Sequence, residues 1–146
     1  MEKKMEKENF SRGFSLKNIQ VTDLFFKQLM DTVREEMIPY QWAALNDEVE
    51  GAEPSFCMRN FRLAAKLGEK RRAEGQESLP VWPMDNFNLV PEDMEHLEDR
   101  FYGFVFQDTD FSKWIEAVGY SLSQHPDPAL EKLADLAIDV VCAAAG

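Results

Sequence analysis

Apolar residues recur at three- and four-residue intervals along several segments of this chain. That spacing places them on one stripe of a helix. Four helices are predicted from these stripes, over residues 23–38, 56–67, 110–124 and 128–144. Pro39 follows the first stripe and lacks a backbone donor, so we expect it to end that helix or to leave a kinked continuation through Leu45. The pattern therefore predicts a mainly α-helical fold.

The predicted helix ends carry residues that suit them chemically. Ser55 is the expected N-cap of the second helix, and Gly68 is its expected C-terminal stop. Asp127 is the expected cap of the last helix, with Pro128 at the first helical position. Because the connection before that helix is short, the last two helices should be antiparallel neighbours.

Three other segments have a different character. Residues 14–21 roughly alternate between apolar and polar, which predicts a short N-terminal strand. Residues 1–13 carry charges of both signs and are expected to form a mobile tail. Residues 69–100 hold several prolines and many charges, which favours a surface insert. The rest of residues 14–146 should form one partial domain.

Composition excludes several classes of function. The 146 residues carry a net charge of −11, so binding to nucleic acid is not expected. No apolar run is long enough to span a membrane, and no export signal is visible, which favours a cytoplasmic protein. Cys57 and Cys142 stand alone and are expected to be buried apolar side chains, while His96 and His125 have no metal-ligand spacing. No metal site is predicted.

The stretch 101–122 holds the densest candidate chemistry. A run of aromatic residues leads to Gln107, Asp108 and Asp110 at the start of a predicted helix. One interpretation is helix capping, because a short carboxylate there accepts from free backbone N–H groups. The other is a polar ligand site at the mouth of a helical domain. Two carboxylates so close in sequence cannot flank a sugar from opposite sides, so neither is assigned a catalytic role.

Five segments of the chain resemble the N-terminal part of glycoside hydrolase family 127, the β-L-arabinofuranosidase group, and they follow one another in the same order as in that family. The resemblance covers about residues 21–142 apart from 69–100, and its most specific pattern is Phe-Gln-Asp-[Ser/Thr]-Asp-x-x-Lys-Trp. The matching segments are IPYQWAALND (38–47), AEPS (52–55), NFRLAA (60–65), FYGFVFQDTDFSKWIEAVGYSL (101–122) and HPDPALEKLAD (125–135).

The resemblance implies that this chain holds the opening helical hairpins of an (α/α)6 barrel. It also implies a retaining hydrolysis in which a zinc-bound cysteine thiolate attacks the sugar and a glutamate acts as acid/base. In the family those residues lie downstream of this segment, and no position here matches the nucleophile, the zinc ligands or the acid/base. One turn departs from the family, since Ser55-Phe56-Cys57 stands where Ser-His-Ala is common.

Two functions remain open from the sequence. The first is the N-terminal fragment of a glycoside hydrolase, with carbohydrate as its partner, Gln107, Asp108 and Asp110 as candidate substrate-binding residues, and no activity by itself. The alternative is a non-catalytic helical binding or scaffold module derived from that fold. Because apolar faces meant for later helices would stay exposed, self-association of the isolated segment is also expected.

Overall fold

The computed structural model describes residues 13–76, 91–97 and 99–145. A 3-10 turn (Leu16–Asn18) precedes the first α-helix, and a π-helical segment (Val33–Met37) joins the first helix to the second. The α-helices are α1 (Leu24–Thr32), α2 (Ile38–Leu45), α3 (Cys57–Ala73), α4 (Gln107–Gln124) and α5 (Pro128–Ala145). The prediction of a mainly helical fold is confirmed.

The predicted N-terminal strand is wrong. Within 14–21 the chain forms the 3-10 turn, and Ser15 and Ile19 on either side of it have extended backbone angles. An extended segment becomes a strand only when a neighbouring strand pairs with its N–H and C=O groups. The described residues contain no strand that could do so.

The first helical stripe continues beyond Pro39. Asp23 caps α1, since its Oδ1 accepts from the N–H of Phe26 at 3.0 Å. Pro39 has no N–H to give to the carbonyl four residues earlier. The helix continues past this missing hydrogen bond through the π-helical segment. There the N–H of Ile38 donates to the carbonyl of Val33, five residues earlier. The alternative of a helix continuing to Leu45 is therefore the one observed.

Helix α3 is longer than the sequence predicts. It runs through Gly68 to Ala73, so Gly68 is not its stop, and the first five residues of the predicted insert are helical. Gly68 is buried within the helix and does not adopt a left-handed backbone angle. The segment 77–90 and residue 98 of the predicted insert, and residues 1–12 of the predicted tail, lie outside the described residues.

Trp114 occupies the centre of the core. Its ring is 1% exposed and lies 4.6 Å from the ring of Trp42, and its Nε1 donates to the carbonyl of Ile38 at 3.1 Å. Helix α3 packs most extensively against α5, and α4 packs against α2. The buried cluster is Ile38, Leu45, Cys57, Met58, Phe111, Trp114, Val118, Ala134 and Ala137.

The turn between α4 and α5 forms as predicted. The Oδ1 of Asp127 accepts from the N–H groups of Ala129 and Leu130 at 2.9 and 3.1 Å, which satisfies two free donors of the first turn. The two helices contact each other across this short connection. None of the described helices combines the length and the apolar character that crossing a bilayer requires.

Candidate functional site

Helix α4 begins three residues earlier than predicted, at Gln107. Its N-cap is Phe106, and no side chain caps it. Asp108 and Asp110 lie exposed in the first turn, where a carboxylate is stabilised by the positive end of the helix. Asp110 contacts the Nζ of Lys113 at 3.2 Å. The predicted capping hydrogen bond is therefore not made by either aspartate.

Gln107 joins the start of α4 to the start of α3. Its side-chain Oε1 accepts from the Nδ2 of Asn60 at 2.9 Å, and its Nε2 donates to the carbonyl of Ser55. Its own carbonyl accepts from the thiol of Cys57 at 3.1 Å. Both ends of the Gln107 amide are thus engaged within the protein.

Asn60 is a residue of this junction that the sequence analysis did not single out. Its Nδ2 donates to the carbonyl of Tyr102 at 2.7 Å as well as to Gln107, and its Oδ1 accepts from the N–H of Tyr102. One amide therefore fixes the aromatic approach segment against α3. The only signal for it in the sequence is the asparagine within the segment NFRLAA.

Gly103 allows the approach segment to come this close. Its φ is +86°, a left-handed angle that favours glycine, and a Cβ there would lie 2.9 Å from the carbonyl of Ser55. The side-chain amide of Gln107 occupies the same space. Any larger residue at this position would separate the two helix starts.

The start of α3 is held by Asp47. Its Oδ1 accepts from the N–H groups of Ser55 and Phe56 at 2.6 and 3.0 Å. The prediction of Ser55 as the N-cap is wrong by one residue, because Phe56 is the N-cap and carries no capping side chain; the Ser55 hydroxyl instead accepts from the N–H of Cys57 at 3.1 Å. Asp47 and Phe56 both have left-handed backbone angles, with φ of 63° and 58°. Such angles cost energy in residues other than glycine and concentrate where the surrounding structure enforces them.

Phe56 fills the position at which this chain departs from the Ser-His-Ala pattern. Its side chain is buried, and its ring lies 5.5 Å from the ring of Tyr102. The guanidinium carbon of Arg59 lies over the Tyr102 ring, 4.9 Å from its centre. This turn therefore presents an apolar stack, and a polar role for position 56 is absent here.

Two separate pockets flank the first turn of α4. Gln107 and Asp108 line one of about 210 Å³, together with Phe61 and Phe104. Asp110 lines another of about 250 Å³, whose other polar side chains are Gln41, Ser55 and Lys113. Residues two apart on a helix point roughly 200° away from each other. The three candidate residues are therefore neighbours in sequence, but the two carboxylates serve different pockets.

Cys57 is a buried thiol at this junction. Burial raises its pKa to about 12, and the nearby carboxylates of Asp110, Asp108 and Asp47 act in the same direction, while the N–H of Phe111 opposes them. A cysteine nucleophile needs its thiolate form, which this environment disfavours at neutral pH. The prediction of burial holds for Cys57 and is wrong for Cys142, which is exposed.

The zinc implied by the resemblance finds no matching ligand set in the described part of the chain. No group of three histidine, cysteine, aspartate or glutamate side chains comes together there. His96 contacts the carboxylate of Asp93 at 2.9 Å on the surface, and His125 lies at the end of α4.

Comparison with known proteins defines the class. Residues 18–145 match the family described as β-L-arabinofuranosidase, GH127 catalytic domain. The chain therefore belongs to glycoside hydrolase family 127. It is 32% identical over 130 residues to the non-reducing end β-L-arabinofuranosidase of Bifidobacterium longum subsp. longum, covering 87% of this chain and 17% of that protein.

A solved structure agrees with this membership. The crystal structure of a GH127 β-L-arabinofuranosidase from Geobacillus stearothermophilus T6 superimposes with a TM-score of 0.62 and 41% sequence identity. The match covers 87% of this chain and 15% of that one. The chain thus spans about a sixth of the length of these relatives.

Proposed function

We propose that this chain supplies the N-terminal helices of a glycoside hydrolase that removes terminal β-L-arabinofuranosyl groups, and that it does not hydrolyse them by itself. The observation that carries this proposal is the family match over residues 18–145. The helices would be the opening hairpins of an (α/α)6 barrel. A cytoplasmic location and the exclusion of nucleic acid stay predictions from composition.

The chemistry of the described residues supports the proposed lack of activity. The retaining mechanism implied for the family needs a cysteine thiolate held by zinc, whereas Cys57 is held as a neutral thiol by burial. Cys142 lies exposed on α5, away from the two pockets at the first turn of α4. The carboxylates near Cys57 disfavour its thiolate and so do not activate it as a nucleophile.

A direct assay tests this part of the proposal. The purified chain is incubated with a nitrophenyl β-L-arabinofuranoside and added zinc, beside Cys57→Ser and Cys142→Ser. We expect no release of nitrophenol above the buffer blank in any sample. Turnover that disappears in either cysteine variant would contradict the proposal, and turnover that all three share identifies contamination.

Asp108 is the candidate residue best placed to contact a sugar. It is exposed, it lines a pocket whose other walls are largely apolar and include three phenylalanines, and its carboxylate makes no capping bond. Such pockets combine apolar walls with a few polar groups that fix orientation. Asp110 is a candidate for the second pocket. Gln107 would act by positioning, because its amide is engaged with Asn60 and Ser55.

The test of the carbohydrate site uses a longer relative that carries the catalytic residues. Asp108→Asn, placed at the equivalent position, should lower kcat/KM by more than tenfold while leaving the melting temperature within error. The matched control is Asp139→Asn on the exposed face of α5. A fall in melting temperature with unchanged kinetics would show that Asp108 only stabilises the helix start.

The alternative function is a non-catalytic helical binding or scaffold module. The observation that favours it is Phe56, which turns a polar position of the resembling family into part of a buried aromatic stack. The test uses a longer relative that has histidine at the position equivalent to Phe56. Replacing that histidine by phenylalanine separates the two functions. If phenylalanine there abolishes activity, the module is favoured for this chain.

A further inference from the structure

Asn60 lies in the first turn of α3 and makes three hydrogen bonds through its side chain. Its Oδ1 accepts from the N–H of Tyr102 at 3.4 Å, and its Nδ2 donates to the carbonyl of Tyr102 at 2.7 Å and to the Oε1 of Gln107 at 2.9 Å. Asn60 also lines the pocket of about 210 Å³ that Gln107 and Asp108 line. Because both hydrogens of its amide nitrogen are already used, its effect on that pocket passes through the residues it holds.

The backbone of Tyr102 determines which way the Asn60 amide points. A backbone N–H only donates and a carbonyl only accepts, so Oδ1 faces the first and Nδ2 the second. The remaining hydrogen of Nδ2 needs an acceptor, which turns the Oε1 of Gln107 toward Asn60. The Nε2 of Gln107 is then directed to the carbonyl of Ser55. The orientation of the Gln107 amide is therefore imposed by Asn60 on one side and matched by Ser55 on the other.

The start of α4 depends on this amide, because no side chain caps the helix. A helix end whose free N–H groups lack capping partners frays readily. Gln107, the first residue of α4, is nevertheless held at three points. Asn60 holds its Oε1, Ser55 holds its Nε2, and the thiol of Cys57 donates to its carbonyl at 3.1 Å. Asp108 follows directly in the chain, so its place at the pocket is inherited from Gln107.

The room for the Gln107 amide comes from the same contact. A Cβ at Gly103 would overlap this amide and lie 2.9 Å from the carbonyl of Ser55. Gly103 belongs to the approach segment and directly follows Tyr102, whose backbone is bonded to Asn60. Asn60 thus fixes both the segment that leaves the space and the side chain that fills it.

We propose that Asn60 is a positioning residue of the candidate carbohydrate site, which sets the place of Asp108 by holding Gln107 and the approach segment. The inference rests on the proposed function, in which Asp108 contacts the sugar. Asn60 makes no contact with the sugar in this arrangement. Its loss should therefore affect catalysis only while the carboxylate of Asp108 is present.

A double-mutant cycle tests this dependence in a longer relative that has asparagine at the position equivalent to Asn60. Asn60→Asp keeps the shape of the side chain but turns an acceptor toward two other acceptors, the carbonyl of Tyr102 and the Oε1 of Gln107. We expect kcat/KM to fall roughly tenfold or more for Asn60→Asp alone. The same change added to Asp108→Asn should lower it by less than about threefold, because residues that act through one another are not additive.

Asn46→Asp is the matched control, made where the relative also has asparagine. Asn46 is half-buried like Asn60, and its Nδ2 donates to the carbonyl of Trp42 at 2.9 Å at the end of α2. The control makes the same chemical change outside the junction. It should leave kcat/KM within about twofold, with or without Asp108→Asn.

The hold on Gln107 is also measurable in this chain without a sugar. In the Cys142→Ser background Cys57 is the one remaining cysteine, and its thiol lies against the carbonyl of Gln107. With Asn60→Asp, a thiol reagent at pH 8 should modify Cys57 roughly tenfold faster, at a rate nearly independent of urea below the unfolding transition. Such a rate indicates local opening, whereas in Asn46→Asp the rate should rise with urea as global unfolding does.

Asn60→Ala repeats both measurements without a new charge, and replaces Asn60→Asp if that variant fails to fold. Additive losses from Asn60 and Asp108 would overturn the positioning role and leave a merely structural one, as would a Cys57 rate equal to that of the Asn46 control. Failure of the proposed function is recognised separately, since Asp108→Asn alone would then leave kcat/KM unchanged. In that case the positioning role of Asn60 falls with it.

Discussion

The starts of the two α-helices in the long N-terminal helical run contrast sharply. Ile38, at the start of α2, is 1% exposed and accepts a hydrogen bond from Trp114. Leu24, at the start of α1, is 83% exposed. Both lie within the one helix that the apolar spacing predicts over residues 23–38. The comparison teaches that helical periodicity identifies the face to be buried, while the element that covers it is decided elsewhere in the chain.

The largest expected effect comes from testing that contrast by truncation. Trp114→Ala removes a fully buried ring and its contact with Trp42, so we expect a loss of about 3–5 kcal/mol in the free energy of unfolding. A loss of that size approaches the whole stability of a marginal domain, about 5–15 kcal/mol. Urea denaturation followed by circular dichroism measures it.

The matched control for this truncation is Phe25→Ala on α1. Phe25 is 65% exposed, so its removal should change the free energy of unfolding by no more than about 0.5 kcal/mol when the protein is monomeric. Similar losses in the two variants would show that α1 is covered in solution. Repeating the measurement at low and at high protein concentration shows whether that cover depends on association between copies of the chain.

The next effect concerns the amide junction between the starts of α3 and α4. Asn60→Ala leaves the N–H and carbonyl of Tyr102 and the Oε1 of Gln107 without this partner, which should cost about 1–3 kcal/mol. The matched amide control is Gln28→Ala on exposed α1. If both alanine variants unfold at the same urea concentration, the junction is not a source of stability.

Much of the fold follows from sequence, and the exceptions have physical reasons. Asp127 accepts from the first turn of its own helix, so its capping role can be read locally, whereas Ser55 was expected to be the N-cap of α3 and that position is taken by Phe56. Gly68 was expected to end α3, but packing of α3 on α5 overrides the low helix propensity of one glycine.

The candidate site shows the other limit. Asn60 reaches Tyr102 and Gln107, which are more than forty residues away in sequence, and no local pattern encodes such a contact. Asp108 and Asp110 were considered together because they are close in sequence. Their helical spacing, known only once the helix start is fixed at Gln107, directs them into separate pockets.

A smaller effect is expected at Asp47, which holds the N-terminus of α3. Asp47→Ala loses the acceptor for two backbone N–H groups, which costs about 1–2 kcal/mol, and it leaves alanine at a left-handed angle. Asp47→Asn keeps an acceptor and tolerates that angle, so it should lose less. Thermal melts of both variants rank them, and an asparagine variant less stable than alanine would exclude this explanation.

The smallest effect compares the two cysteines. Cys57 is buried and Cys142 is exposed, so in the native state a thiol reagent at pH 8 should modify one thiol rapidly, and the second only after unfolding. Cys142→Ser should abolish the rapid phase, and Cys57→Ser should leave it unchanged. Two equally fast thiols would mean that the junction between α3 and α4 opens readily.

The same buried thiol makes stability depend on alkaline pH. The pKa of Cys57 rises from 9.0 to about 12 in the folded protein, so the folded state retains a proton that the unfolded state releases between these values. The stability that this burial contributes is complete below pH 9 and is lost as the pH rises toward about 12. Cys57→Ala should therefore show a shallower alkaline decline than the wild type in urea denaturation at pH 8, 9 and 10. Parallel declines would show that the thiol at the junction is not protected from solvent, which would also remove the chemical reason for expecting it to be unreactive.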